Sequence, residues 1–128
     1  MGEEAPVVAV DGPAGAGKST ASRRLSLRLG YRYYDSGALY RALAWSAGKS
    51  GVGREGPDEA LTALCRDLVL EFGKTGESGD DWRVWVNGCE LTRELKGEEI
   101  GEEASIISAR PAVRDALLDL QRRQATPP

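Results

Sequence analysis

Val7-Val8-Ala9-Val10-Asp11-Gly12-Pro13-Ala14-Gly15-Ala16-Gly17-Lys18-Ser19-Thr20 is the stretch that organises the reading of this chain. Val7 to Val10 is a short, continuous apolar run, the composition of a strand buried on both faces of a parallel sheet. A G-x-x-x-x-G-K-[ST] loop follows directly, and its pattern predicts a triphosphate cradle. The glycines let successive backbone N–H groups turn inward around an anion, and the following helix adds the positive end of its dipole. Gly12, Pro13, Ala14, Gly15, Ala16, Gly17, Lys18, Ser19 and Thr20 are thus expected to hold nucleotide phosphates. Lys18 would reach the outer phosphates and the Ser19 hydroxyl would ligate Mg2+.

Working outward, Ala21, Leu25 and Leu29 recur one helical turn apart with Arg23, Arg24 and Arg28 between them, an amphipathic helix closed by Gly30. The aromatic run Tyr31-Arg32-Tyr33-Tyr34 reads as a second strand ending at Asp35. Ser36 then caps a helix to about Ala47, with Ala38, Leu39, Ala42, Leu43 and Trp45 toward its buried side and Gly48 as the stop. Strand, loop, helix, strand and helix in that order predict a parallel α/β sheet. After a Gly-rich connection, Lys49 to Gly56, a helix opens with Pro57 at its first position and carries Ala60, Leu61, Leu64 and Cys65 as its stripe.

The period then changes to two. Leu68, Leu70 and Phe72 share one face of a strand, and Trp82, Val84 and Val86 share one face of the next. Gly73 to Asp81 is a polar loop, and Asn87-Gly88 makes a tight hairpin into Cys89-Glu90-Leu91. This is an inserted antiparallel meander with one solvated side. Thr92 to Ser108 returns to helix in one or two pieces interrupted by Gly97 and Gly101, and Pro111 starts a last helix with Val113, Ala116, Leu117 and Leu120 inward. The boundaries implied are a core at 1–56, an insertion at 57–108 and a returning helix at 109–128.

The chain has 128 residues and a formal net charge of −3, so no global basic field points to nucleic acid and any anion site must be local. Histidine is absent, which excludes histidine general-base catalysis and the commonest zinc ligand. Phosphoryl transfer survives that exclusion, because it needs positioning and charge neutralisation more than covalent chemistry. The two cysteines match no metal or redox spacing and read as small core residues in a reducing compartment. The acidic start and the lack of a long apolar run predict a cytoplasmic protein with no membrane partner.

A triphosphate loop alone leaves the reaction open. GTPase segments of the D-x-x-G and N-K-x-D kind are absent, whereas a kinase needs a second anion site made of arginines and hydroxyls. Ser36 and Arg41 supply one: Ser36 falls at a strand end and helix start, on the rim of the sheet where ligands of open α/β folds bind, and Arg41 lies more than a turn further on. Taken singly, the same residues also fit a plain helix cap and a solvated surface arginine.

Four strings in order, V-x-V-D-G-P-A-G-A-G-K-S-T, Y-D-S-G-A-L-Y-R-A-L-A, V-N-G-C-E-L-T and A-S-I-I-S-A-R-P-A-V-R-D-A-L-L-D-L-Q-R-R, make the chain resemble the bacterial cytidylate kinase family. The resemblance implies a nucleoside-monophosphate-kinase fold whose Leu68 to Leu91 meander belongs to an inserted monophosphate-binding subdomain. It implies ATP and Mg2+ at Gly12 to Thr20, and transfer of the γ-phosphoryl group to CMP or dCMP. Ser36, Arg41, Ser105 and Arg114 would contact the acceptor, Lys18, Arg41 and Arg114 would serve catalysis, and Asp35 would stand as an outer-shell partner of metal or acceptor. A monomer is expected.

Two departures stand out. Lys96 takes a place where the family tends to have arginine, keeping the charge and losing bidentate geometry. The family's G-R-D-x-G-T-x-V-F segment, arginine-rich lid and R-x-x-R-D region do not occur in this sequence. The expectation is therefore an N-terminal portion whose C-terminal strands and lid are missing, weak or inactive by itself. The alternatives are a short non-catalytic Mg-ATP-binding protein and another small P-loop kinase with a different acceptor.

Overall fold

The computed structural model describes residues 18–30, 33–75 and 81–124. The elements in chain order are α1 (Lys18–Leu29), α2 (Ser36–Lys49), α3 (Asp58–Asp67), β1 (Leu70–Thr75), β2 (Asp81–Val86), β3 (Cys89–Glu90), a 3-10 turn (Glu94–Lys96), α4 (Glu98–Ser108) and α5 (Pro111–Gln124). The architecture is α/β with a small antiparallel sheet. The strand expected at Val7 to Val10, and the first half of the one expected at Tyr31 to Tyr34, lie outside the described residues. Tyr33, Tyr34 and Asp35 lead into α2 as non-helical backbone with no strand pairing among the described residues.

The core follows the helical periodicity. Leu39, Ala42, Leu43 and Ala47 of α2 meet Leu61 and Cys65 of α3, Ala104 and Ile107 of α4, and Val113, Leu117 and Leu120 of α5 in one buried cluster. Fully burying a leucine contributes about 1.5–3 kcal/mol, so this cluster is the main source of order in the described region. Helix α2 packs on α4, and α3 packs on α5. Ala38 and Trp45 are partly buried against the cluster. In α1, by contrast, Ala21 and Leu29 are exposed and Leu25 is half-buried, so its apolar stripe does not join this core.

The meander forms with the expected faces. β1 pairs antiparallel with β2, Leu70 opposite Val86 and Phe72 opposite Val84, and β2 pairs with β3. Leu70, Val84 and Val86 are buried while Glu71 points outward, the alternation that a half-solvated sheet demands. Asn87 (φ 50°) and Gly88 (φ 82°) both take left-handed backbone in the connecting turn. Asn87 also accepts from the Val69 N–H through Oδ1 at 2.7 Å, continuing the ladder one residue beyond β1.

Several boundaries differ from expectation. Leu68 is the C-cap of α3 and not a strand residue, though it is buried. β1 and β2 run further into the region expected as loop, to Thr75 and from Asp81. Helix α2 passes through Gly48 to Lys49, and the chain turns at Gly51 (φ 80°) and Gly53 (φ 65°). Pro57 is the N-cap of α3, because its ψ of 153° is extended, so helical backbone starts at Asp58. Gly97 does break the helix, whereas Gly101 lies inside α4. Cys65 is a core residue as expected, but Cys89 is exposed on the edge strand, flanked by only one neighbour. No helix among the described residues is long and apolar enough to cross a membrane.

Candidate functional site

The start of α2 is held by Asp35, not by Ser36. Asp35 is extended (φ −114°, ψ 112°) and its Oδ1 accepts from the Gly37 N–H at 2.9 Å, while Ser36 is already helical. A carboxylate at the positive end of a helix dipole gains more than a hydroxyl does, which explains the exchange of roles. Oδ2 of the same carboxylate accepts from the Tyr33 hydroxyl at 3.4 Å. Relieved of capping, Ser36 stands half-buried in the first turn with its hydroxyl unpaired among the described residues.

More than a turn along, Arg41 crosses from α2 to the segment before α4. Its Nη1 donates to the Leu95 carbonyl at 2.9 Å, a carbonyl left without a helical partner because the 3-10 turn stops at Lys96 and Gly97 goes extended. Arg41, Glu98, Gly101, Glu102, Ser105 and Ile106 line an open cleft of about 690 Å³. Its size falls in the range of small-molecule sites. Arg41 and Ser105, far apart in sequence, thus share one cleft. Asp35, Ser36 and Arg114 are not among its lining residues; Arg114 is exposed in the first turn of α5.

The triphosphate loop, Gly12 to Gly17, lies outside the described residues. Lys18, Ser19 and Thr20 form the first turn of α1, where backbone N–H groups have no intrahelical partner and the dipole favours an anion. The loop amides and the Lys18 and Ser19 side chains expected to hold ATP and Mg2+ lie outside what is described, and the helix start alone is seen.

Other polar features are structural. Arg110 donates through Nη1 to the Gly56 carbonyl and through Nη2 to the Arg54 carbonyl, and it pairs with Asp58 at 3.2 Å, tying the connection after α2 to the start of α5. Arg83 holds Glu90 at 2.6 Å, and this bond, with the Thr92 N–H as a second donor, holds the Glu90 carboxyl below its usual range. Arg110 lies inside the fourth motif without a role being read for it, and the cleft residues Glu98, Gly101 and Glu102 follow from no motif. The one available signal was Gly101, an unfavourable residue inside a helical run.

The cytidylate kinase family profile matches residues 8–128. This chain belongs to that family. It is 46% identical over 121 residues to the cytidylate kinase of Geobacter sp. (strain M21), covering 94% of this chain and 50% of that protein. It is 44% identical over 128 residues to the cytidylate kinase of Methylococcus capsulatus, covering all of this chain and 55% of that one. A bifunctional pantoate ligase/cytidylate kinase of Gloeobacter violaceus is 43% identical over 121 residues, 94% of this chain and 23% of that protein. The chain spans about half the length of the cytidylate kinases it matches. Of the acceptor residues that membership of the cytidylate kinase family leads one to expect, Arg41 and Ser105 meet in the cleft.

Proposed function

We propose that the chain supplies the donor loop and much of the acceptor site of an ATP-dependent kinase that converts CMP or dCMP to CDP or dCDP, with ADP as the second product. The observation that carries this reading is the cleft in which Arg41 and Ser105 meet, in a chain that also begins a helix directly after a triphosphate loop. Gly12 to Thr20 would hold ATP, with Lys18 on its outer phosphates and Ser19 on Mg2+. When bound, ATP supplies the phosphoryl group. The acceptor oxygen belongs to a phosphate already ionised at neutral pH, so no base is required and a chain without histidine is adequate.

The tasks left to the protein are alignment and charge neutralisation. Arg41 would grip the acceptor phosphate with the N–H groups that Leu95 does not use, Ser36 and Ser105 would hydrogen-bond the acceptor, and Arg114 would add charge from α5. Asp35, fixed by Gly37 and Tyr33, would serve as an outer-shell partner. The proposed architecture is the nucleoside-monophosphate-kinase parallel sheet at 1–56 with the 57–108 insertion and the returning helix 109–128. A single transition-state arginine is worth about 10³ to 10⁵ in rate, so arginines facing the transferring group should weigh more on turnover than on binding.

An ADP-coupled assay with CMP, dCMP, UMP, AMP and shikimate, on this chain and on any longer reading frame containing it, tests the reading. Preferred turnover of CMP or dCMP, lost in Lys18→Ala, is expected of the longer form. Preference for another acceptor would overturn the assignment. Mg-ATP binding with no turnover in either form would favour the non-catalytic alternative.

A further inference from the structure

Glycine inside a helix is unfavourable by about 1 kcal/mol relative to alanine, so Gly101, within α4, calls for a reason. Its backbone is ordinary helix, with no left-handed φ to explain it. Its surroundings do. An ideal Cβ at Gly101 would lie 3.4 Å from Arg41 Nη2, 3.8 Å from Cζ and 3.9 Å from Nε, so the guanidinium rests along the bare helix backbone. On its other side the same group donates to the Leu95 carbonyl at 2.9 Å. Of five guanidinium N–H donors, one is committed there, and among the described residues the others remain for the cleft.

We propose that Gly101 and the Leu95 carbonyl form a seat that positions Arg41 for the acceptor phosphate, a seat that a side chain larger than a methyl at position 101 would fill. The inference rests on the acceptor reading above and deepens it. The seat has an electrostatic side. Glu98 and Glu102, one turn apart on α4, line the same cleft, and neither has an ion-pair partner among the described residues. A bare Cβ at position 101 would sit in ordinary contact with the guanidinium, whereas the γ-branches of a larger side chain would enter its space, and a displaced Arg41 would find a carboxylate of Glu98 or Glu102 in place of the ligand. Gly101 is a positioning residue that acts through Arg41.

Calorimetric titration of the full chain with CMP, alongside thermal melts, tests this with Gly101→Val, Gly101→Ala and Arg41→Ala, singly and combined. Gly101→Val is expected to raise the CMP Kd about tenfold and Gly101→Ala, whose Cβ fits beside the guanidinium, to leave it within about twofold of wild type, with Tm equal to or above wild type because both residues are better helix formers than glycine. In the Arg41→Ala background neither change should weaken binding further. A merely structural role for Gly101 would give losses independent of Arg41 and would overturn the seat, as would wild-type affinity in Gly101→Val. If Gly101→Val fails to melt cooperatively, Gly101→Leu decides in its place. Undetectable CMP binding by wild type, or unaltered binding in Arg41→Ala, would instead overturn the acceptor reading and the seat with it.

Discussion

The Tyr34 hydroxyl donates to Gln124 Oε1 at 3.0 Å, and Nε2 of the same amide donates to the Leu68 carbonyl at 2.7 Å. One side chain near the end of α5 thus joins the segment entering α2 to the segment leaving α3. Burial, reinforced by the Asp35 charge, pushes the Tyr34 hydroxyl well above the usual phenol range, so it stays protonated and acts as the donor. Gln124→Ala leaves two partly buried polar groups unpaired and should destabilise the chain by about 1–3 kcal/mol. Urea unfolding checks this, and Tyr34→Phe, which removes only the donor, should have the smaller effect.

Gly56 is buried, and a Cβ there would lie 2.2 Å from Val52 Cγ1 and 2.9 Å from the Val52 carbonyl oxygen. The backbone atom cannot swing aside as a side chain can. Gly56→Ala is expected to cost roughly 1–3 kcal/mol through overpacking. Gly48→Ala meets nothing within 4 Å and sits within α2, so it should leave stability unchanged or raise it. The two Tm values, compared with wild type, should move in opposite directions or differ by several degrees.

Cys65 is 1% exposed and Cys89 is exposed on β3. Burial pushes the Cys65 thiol from an ordinary value near 9.0 up to about 11. A thiol-specific chromogenic reagent at pH 8 should therefore modify one cysteine rapidly and the second only on unfolding, since thiolate character and access control the rate. Cys89→Ser should abolish the fast phase. The raised pKa also has a stability consequence. Its contribution is complete below about pH 9 and declines as pH rises toward about 11, because the unfolded chain releases the proton first. Chemical denaturation at pH 8 and at pH 10.5 should show that loss, reduced in Cys65→Ala.

Arg41→Lys keeps the positive charge and removes the planar fork. The lysine cannot both satisfy the Leu95 carbonyl and present several donors to an acceptor phosphate. CMP affinity is expected to fall about tenfold to a hundredfold, the range for losing charge-assisted hydrogen bonds. Titration with CMP measures it, and cytidine, which lacks the phosphate, should lose far less.

Local chemistry made much of this molecule legible in advance. The heptad-like spacing of Leu39, Ala42 and Leu43, the alternation of Trp82, Val84 and Val86, the Asn87-Gly88 turn and Pro111 at a helix start are statements about neighbours a few residues apart. All reappear in the fold, because periodicity and turn sterics act over that range. Competition between adjacent groups was harder to judge. Asp35 and Ser36 both suit an N-cap, and only the extended φ and ψ of Asp35 settle which of them serves. The cleft was half legible, Arg41, Ser105 and Ile106 through motif resemblance, Gly101 only as an unfavourable residue in a helical run, and Glu98 and Glu102 not at all.

The residue order of the chain was sufficient to give its family and the types of most elements among the described residues, since each of these is written in contiguous or short-range spacing. Which groups face each other across the cleft depended on how α2 packs on α4. That packing arises from burial of Leu39, Leu43, Ala104 and Ile107 and has no directional code along the chain. Placement of Arg41 between the Leu95 carbonyl and the bare backbone of Gly101 is a by-product of that burial, and it appears only once the two helices are docked.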